Sequence, residues 1–201
     1  MIRLNVARPN LAVLDAQIAA TLPDVPLRRF RNRTRENGQS VEFEGGVVTL
    51  GSVFRVLIVE DEILLAMELQ EIIEEAGHQV VGHALDSRAA CRMVEELRPD
   101  VVLLDVNLRD GPTGTEVARS IKERSNVAIV FVTANAGRLA PTYHGAIGAV
   151  DKPFTQATIL SVLSYVARWS ISGADAGAPP KGLRVPGVVV ENGMWTRAEV
   201  A

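Results

Sequence analysis

Five side chains with chemistry to offer share one setting in this sequence: each closes a short apolar run. Glu60 and Asp61 follow Val56-Leu57-Ile58-Val59, and Asp105 follows Val101-Val102-Leu103-Leu104. Thr133 follows Val127-Ala128-Ile129-Val130-Phe131-Val132, and Lys152 comes just after Ala146-Ile147-Gly148-Ala149-Val150. Carboxylates brought close together repel, and their pKa values rise unless a cation is present. A hard, oxygen-preferring ion answers that need, and Mg²⁺ uses one or two carboxylates, waters and phosphate oxygens. Lys152 adds a compact positive charge and Thr133 a rotatable hydroxyl. The set suits a phosphoryl group: an Asp105 oxygen attacks phosphorus while Mg²⁺ and Lys152 neutralise the equatorial oxygens.

Each of these residues also has an ordinary reading. An acid at a strand end is commonly a helix cap. Glu60 and Asp61 alone would favour the dipole of a following helix, and Lys152 alone would be a surface ion pair. Their joint occurrence at four strand ends is what favours the phosphoacceptor chemistry.

The elements that must position them are legible from residue 55 onward. Arg55 to Val59 reads as a first strand, followed by a helix to about Ala76 with the stripe Leu64, Leu65, Leu69, Ile72 and Ile73. Gly77 suits the position just after that helix. His78 to His83 is a second strand. A helix capped by Asp86 or Ser87 runs to about Leu97, broken by Arg98-Pro99-Asp100. Val101 to Asp105 is a third strand, buried on both faces. The turn formers Asp110, Gly111, Pro112 and Gly114 lead to a third helix of about Gly114 to Glu123. Val127 to Thr133 is the fourth strand. Ala134 to His144 is expected to hold a short, poor helix interrupted by Gly137 and Pro141. Ala146 to Val150 is the fifth strand, and a last helix is expected over about Thr155 to Trp169.

This alternation implies an α/β fold: a doubly wound, five-stranded parallel sheet, flavodoxin-like, of order 2-1-3-4-5, with right-handed crossovers. Ligands in such sheets sit beyond the carboxyl ends of the strands, where all five side chains fall. The domain is expected over residues 53–170. Residues 1–52 read as a mostly irregular extension, and residues 171–201 as a disordered tail that begins Gly173-Ala174-Asp175-Ala176-Gly177-Ala178-Pro179-Pro180. Within the tail, Val185 to Val190 and Trp195 could form one docking strand or a partner peptide. Within the extension, Leu11 to Leu22 has helical periodicity, and Val41 to Leu50 could pair as a hairpin about Gly45-Gly46. Arg28-Arg29-Phe30-Arg31-Asn32-Arg33-Thr34-Arg35 offers five arginines, but Glu36, Glu42 and Glu44 follow, so a solvated segment is the expectation rather than a nucleic-acid contact. Val53 would be a natural domain start, and translation beginning there is one reading of the extension.

Bulk properties bound the class of partner and the compartment. The net charge of −3 argues against a dedicated nucleic-acid binder. The single cysteine, Cys91, cannot form an internal disulfide and reads as a small core residue. No apolar run is long enough to cross a membrane, and the first residues lack a signal-peptide core. A cytoplasmic location, with no membrane partner, is the expectation.

Residues 55 to 169 resemble the receiver domain of bacterial two-component response regulators. The carrying motifs are Val56-Leu57-Ile58-Val59-Glu60-Asp61-Glu62, Leu103-Leu104-Asp105-Val106-Asn107-Leu108, Val132-Thr133-Ala134 and Asp151-Lys152-Pro153-Phe154, in order. The resemblance implies that Asp105 accepts a phosphoryl group from a histidine kinase or histidine phosphotransferase. It implies Mg²⁺ held by Glu60, Asp61, Asp105 and the backbone carbonyl of Asn107. Thr133 and Lys152 would be the switch hydroxyl and the phosphate-binding lysine, and the bond before Pro153 would be cis. Such a protein is not an enzyme in the usual sense; it assists its own phosphorylation and dephosphorylation. With no DNA-binding output domain apparent after residue 170, it would signal through protein–protein contacts, by family resemblance on the face of the fourth helix, fifth strand and fifth helix. A phosphorylation-independent pseudo-receiver is the alternative. An aspartate-nucleophile phosphatase of the haloacid dehalogenase kind would need an acid where Asn107 stands. One departure concerns switching: the family's usual aromatic three residues before the lysine is Ala149 here, with Tyr143 and His144 nearby but off register. The Thr133 to Leu139 stretch resembles receivers of alphaproteobacterial stress regulators.

Overall fold

Short apolar runs with β-branched residues form strands, and striped segments form the helices that cover them. The structure is a computed structural model, and it describes residues 40–43, 46–49, 53–140, 142–172, 176–186, 188–191 and 194–197. Two units divide it, residues 1–52 and 53–201. In the first, β1 (Ser40–Phe43) and β2 (Gly46–Thr49) pair antiparallel with Phe43 opposite Gly46, so the expected hairpin is present. The Leu11–Leu22 and Arg28–Arg35 segments lie outside the described residues.

The second unit alternates strand and helix: β3 (Arg55–Val59), α1 (Ile63–Glu75), β4 (Gln79–Ala84), α2 (Ser87–Leu97), β5 (Val101–Leu104), α3 (Gly114–Arg124), β6 (Ala128–Thr133), β7 (Gly148–Asp151) and α4 (Gln156–Ser172). The parallel strands lie in the order β4-β3-β5-β6-β7, the expected 2-1-3-4-5 arrangement. Successive strand residues point to opposite faces. Val56, Ile58, Val101, Leu103, Val130 and Val132 therefore meet α1 and α4 on one side. Leu57, Val59, Val102, Leu104, Ile129 and Phe131 meet α2 and α3 on the other. Both faces are dry, which explains why these strands read as unbroken apolar runs rather than alternating ones.

Local chemistry sets the helix ends. The Asp86 carboxylate accepts from the Ala89 N–H at 2.8 Å, so Asp86 is the cap of α2. Gly77 ends α1 with φ +82°, a conformation glycine adopts without steric cost.

Three expectations need correction. The weak helix over residues 134–144 does not form; the described residues there hold two short 3₁₀ turns, Ala136–Arg138 and Tyr143–Gly145. Glycine disfavours a helix interior and proline lacks the N–H a helix needs, which accounts for the failure. The last helix continues past Trp169 to Ser172. The third correction concerns the supposed tail. Leu183–Arg184 forms β8, a sixth strand antiparallel to β7, and Ala176 and Leu183 are buried. Farther on, β9 (Val188–Glu191) and β10 (Met194–Arg197) pair with each other. Composition pointed to disorder, but buried Leu183 and Ala176, strand pairing with β7 and contacts of Arg168 and Arg184 anchor residues 176–186. Among the described residues, no helix is long and apolar enough to cross a membrane.

Candidate functional site

Parallel pairing aligns the strand ends. Val59 lies beside Leu104, Leu104 beside Phe131, and Thr133 beside Asp151. The backbone carries that alignment past the strands. The Asp105 N–H donates to the Val59 carbonyl at 2.9 Å, and the Lys152 N–H donates to the Thr133 carbonyl at 3.0 Å. Four of the sequence-derived side chains, Glu60, Asp61, Asp105 and Lys152, thus reach one crevice, and Thr133 ends the strand between those that carry Asp105 and Lys152.

Lys152 sits at its centre. Its Nζ donates to Glu60 Oε2 at 2.6 Å and to Asp105 Oδ2 at 2.7 Å. Glu62, absent from the sequence-derived set, lies farther out, 3.9 Å from the same nitrogen. Glu60 is 1% exposed, Asp105 6% and the Lys152 side chain 10%. The other Asp105 oxygen, Oδ1, accepts from the Val106 N–H at 2.5 Å and the Asn107 N–H at 3.3 Å. Asn107 therefore touches the site through its backbone. The Lys152–Pro153 peptide bond is cis, as the resemblance implied.

Oxygens of Glu60, Asp61 and Asp105 lie within 4.8 Å of one another. Three carboxylates against one ammonium leave the cluster short of positive charge. The consequence shows at Glu60, whose pKa is raised: burial is the main cause and outweighs the help of Lys152. Burial alone would lower the pKa of Lys152, but its hydrogen bonds and attraction to Asp105 and Glu60 together raise it. The lysine is held charged while one carboxylate stays under-compensated. A hard divalent cation on these oxygens would supply the missing charge, so the donor set fits Mg²⁺.

Thr133 completes the edge in an unusual state. It is 0% exposed, and its Oγ1 is the one buried side-chain polar atom without a hydrogen-bond partner among the described residues. An unpaired buried hydroxyl costs about 1–3 kcal/mol.

Sequence reasoning missed one positioning residue. At Gly114, the first residue of α3, an added Cβ would lie 2.0 Å from the Asp105 carbonyl oxygen. Only glycine lets α3 approach the loop that carries Asp105. The sequence showed it as a turn former and gave no sign of that approach. Tyr143 packs on the apolar layer that contains Phe131 and Ala149, outside the cluster of charged groups.

Residues 56–164, more than half of the chain, match the response regulator receiver domain family. The chain belongs to that family. It is 30% identical over 148 residues to the phyllosphere-induced regulator PhyR of Methylorubrum extorquens, covering 73% of this chain and 53% of that protein. It is also 30% identical over 118 residues to the chemotaxis protein CheY of Thermotoga maritima, covering 57% of this chain and 98% of CheY. The solution structure of the Erythrobacter litoralis PhyR receiver domain is 31% identical, with a TM-score of 0.50, and the match covers 57% of this chain and 90% of that one. The chain thus spans about half the length of PhyR and nearly all of CheY. Receiver domains are signalling domains of two-component systems, in which Mg²⁺ and phosphorylation are standard and kinases or other proteins are the partners.

Proposed function

We propose that this receiver takes a phosphoryl group on Asp105, in a Mg²⁺-dependent transfer from a histidine kinase or histidine phosphotransferase, and signals by protein–protein contact. The observation that carries this reading is the single lysine bridging two buried carboxylates beside an unpaired buried threonine hydroxyl.

The residues divide the work. An Asp105 carboxylate oxygen forms the new O–P bond as the N–P bond of the phosphohistidine donor breaks, and the imidazole leaves with that electron pair. The Val106 and Asn107 N–H groups hold the carboxylate in a fixed orientation for attack. Lys152, already 2.7 Å from Asp105, exchanges that contact for one to a phosphoryl oxygen. Thr133 donates its hydroxyl to another and so loses its unpaired state. A Mg²⁺ ion on Glu60, Asp61 and Asp105, with the Asn107 carbonyl as a further ligand, would offset charge on the transferring group. Phosphorylation adds about 1.5 to 2 negative charges, enough to redirect Lys152 and Thr133.

A second reading, a pseudo-receiver that binds its partner without phosphorylation, is favoured by Ala149 alone, since the usual aromatic relay is missing. Intact mass after incubation with a small acyl-phosphate donor and Mg²⁺ separates the two. One added phosphoryl group, absent in Asp105→Asn and with excess chelator, is expected. No adduct on the wild type, from either the small donor or a phosphorylated histidine phosphotransferase, would overturn the phosphoacceptor reading in favour of the second.

A further inference from the structure

A free outer edge of β7 would present unpaired backbone groups to any extended chain. In this protein the chain's own C-terminal segment occupies it. Ala149 pairs with Arg184 and Val150 with Leu183, antiparallel, whereas the neighbouring strands are all parallel. Leu183, 2% exposed, enters the same apolar layer as Val150, Ile147, Ile159 and Val162. The Arg184 guanidinium bonds Asp151 at 2.8 Å, and Arg168 of α4 donates to the Ala176 carbonyl at 3.2 Å.

Two glycines, one on the seat and one on its occupant, permit the close approach. At Gly148 an added Cβ would lie 2.5 Å from the Arg184 carbonyl oxygen and 2.8 Å from Leu183 Cδ1. At Gly182 the backbone turns with φ +93°, and a Cβ would lie 2.9 Å from Thr158 of α4. Neither glycine touches the phosphoacceptor site.

The strap is slight. It is held by the paired residues Leu183 and Arg184, the burial of Leu183 and Ala176, the Arg168–Ala176 hydrogen bond and one half-exposed ion pair. Its ion pair is also next to the site: Asp151 precedes Lys152 in the chain and lies beside Thr133 in the sheet. Through this adjacency, movement of Lys152 and Thr133 toward a phosphoryl group would reach the Arg184–Asp151 contact.

We infer that the outer edge of β7 is a strand-docking surface whose resident occupant is residues 176–186 of this chain, and that phosphorylation of Asp105 releases this strap. The inference rests on the phosphoacceptor reading above. It also gives the domain an output route that needs no aromatic at Ala149: the ligand that leaves is a strand, and the exposed edge fits an extended segment with an apolar residue followed by a base.

The test is hydrogen–deuterium exchange of the full chain, with intact mass read on the same samples, with and without acyl-phosphate donor and Mg²⁺. The expected result is that a phosphoryl adduct raises exchange across residues 176–186 roughly tenfold or more, with α1 and α2 unchanged. Gly148→Ala and Leu183→Asp should raise exchange there without donor and still take up phosphate. An adduct with unchanged exchange in this segment overturns the inference, as does retained protection in both variants. If no adduct forms on the wild type, the phosphoacceptor reading has failed and the release step falls with it, while the two variants still decide whether the strap docks through Gly148 and Leu183.

Discussion

Replacing Lys152 by alanine removes the ammonium that, among the described residues, stands alone against a cluster of three carboxylates, two of them buried. Its Nζ is within 2.7 Å of both Glu60 and Asp105, and the Lys152 side chain is 10% exposed, so water cannot replace it freely. Breaking a buried ion pair from one side costs about 3–5 kcal/mol, because the remaining charge is left uncompensated. For a domain of this size that corresponds to a fall in Tm of roughly 10–20 °C. The cost should depend on conditions in a way that a cavity would not. The Glu60 pKa is already raised by burial, so losing the lysine raises it further, and lowering the pH should restore stability by protonating Glu60. Millimolar Mg²⁺ should restore it at neutral pH and raise Tm more in Lys152→Ala than in the wild type. Thermal unfolding followed by circular dichroism, in chelator and in Mg²⁺ at two pH values, reads all of this. A loss under about 1 kcal/mol, or a loss insensitive to both pH and Mg²⁺, would refute the reasoning that the lysine holds an under-compensated acidic cluster.

Glu60→Gln should stabilise the metal-free domain while weakening Mg²⁺ binding. The Glu60 pKa is raised in the fold, so its favourable contribution is present below the unfolded value of 4.5 and lost as pH rises through the folded value; the gain from glutamine is therefore larger at pH 7 than at pH 4 by chemical denaturation. For the same reason, Mg²⁺ affinity of the wild type should begin to fall at a pH above the ordinary carboxylate range, seen by titration calorimetry. Thr133→Val should leave stability unchanged or raise it by about 1 kcal/mol, since it removes an unpaired buried hydroxyl, while slowing phosphoryl uptake from an acyl-phosphate donor. Gly114→Ala should destabilise by about 1–3 kcal/mol and abolish phosphorylation, because its Cβ would displace the Asp105 backbone.

Strand ends made this protein readable. Continuous apolar runs mark strands buried on both faces, and a polar residue directly after such a run marks the active edge of a parallel sheet. That is why Glu60, Asp61, Asp105, Thr133 and Lys152 could be grouped before any geometry was known. What was not legible depends on contacts distant in sequence. Gly114 looks like any turn glycine until the Asp105 carbonyl is placed against it. Leu183 sits in a tract rich in glycine, alanine and proline, and its burial depends on β7 leaving an edge open. The weak element between β6 and β7 was legible as weak, but sequence could not tell a poor helix from two 3₁₀ turns, because local propensity does not fix which hydrogen bonds close.

The most direct measurement of the central claim locates the modification. The chain would be treated with an acyl-phosphate donor and Mg²⁺, reduced with borohydride to convert an aspartyl phosphate to homoserine, digested and sequenced by mass spectrometry. The account predicts homoserine at position 105 and at no other aspartate, with none formed in chelator. Homoserine at another position, or a phosphorylated Asp105→Asn chain, would contradict it.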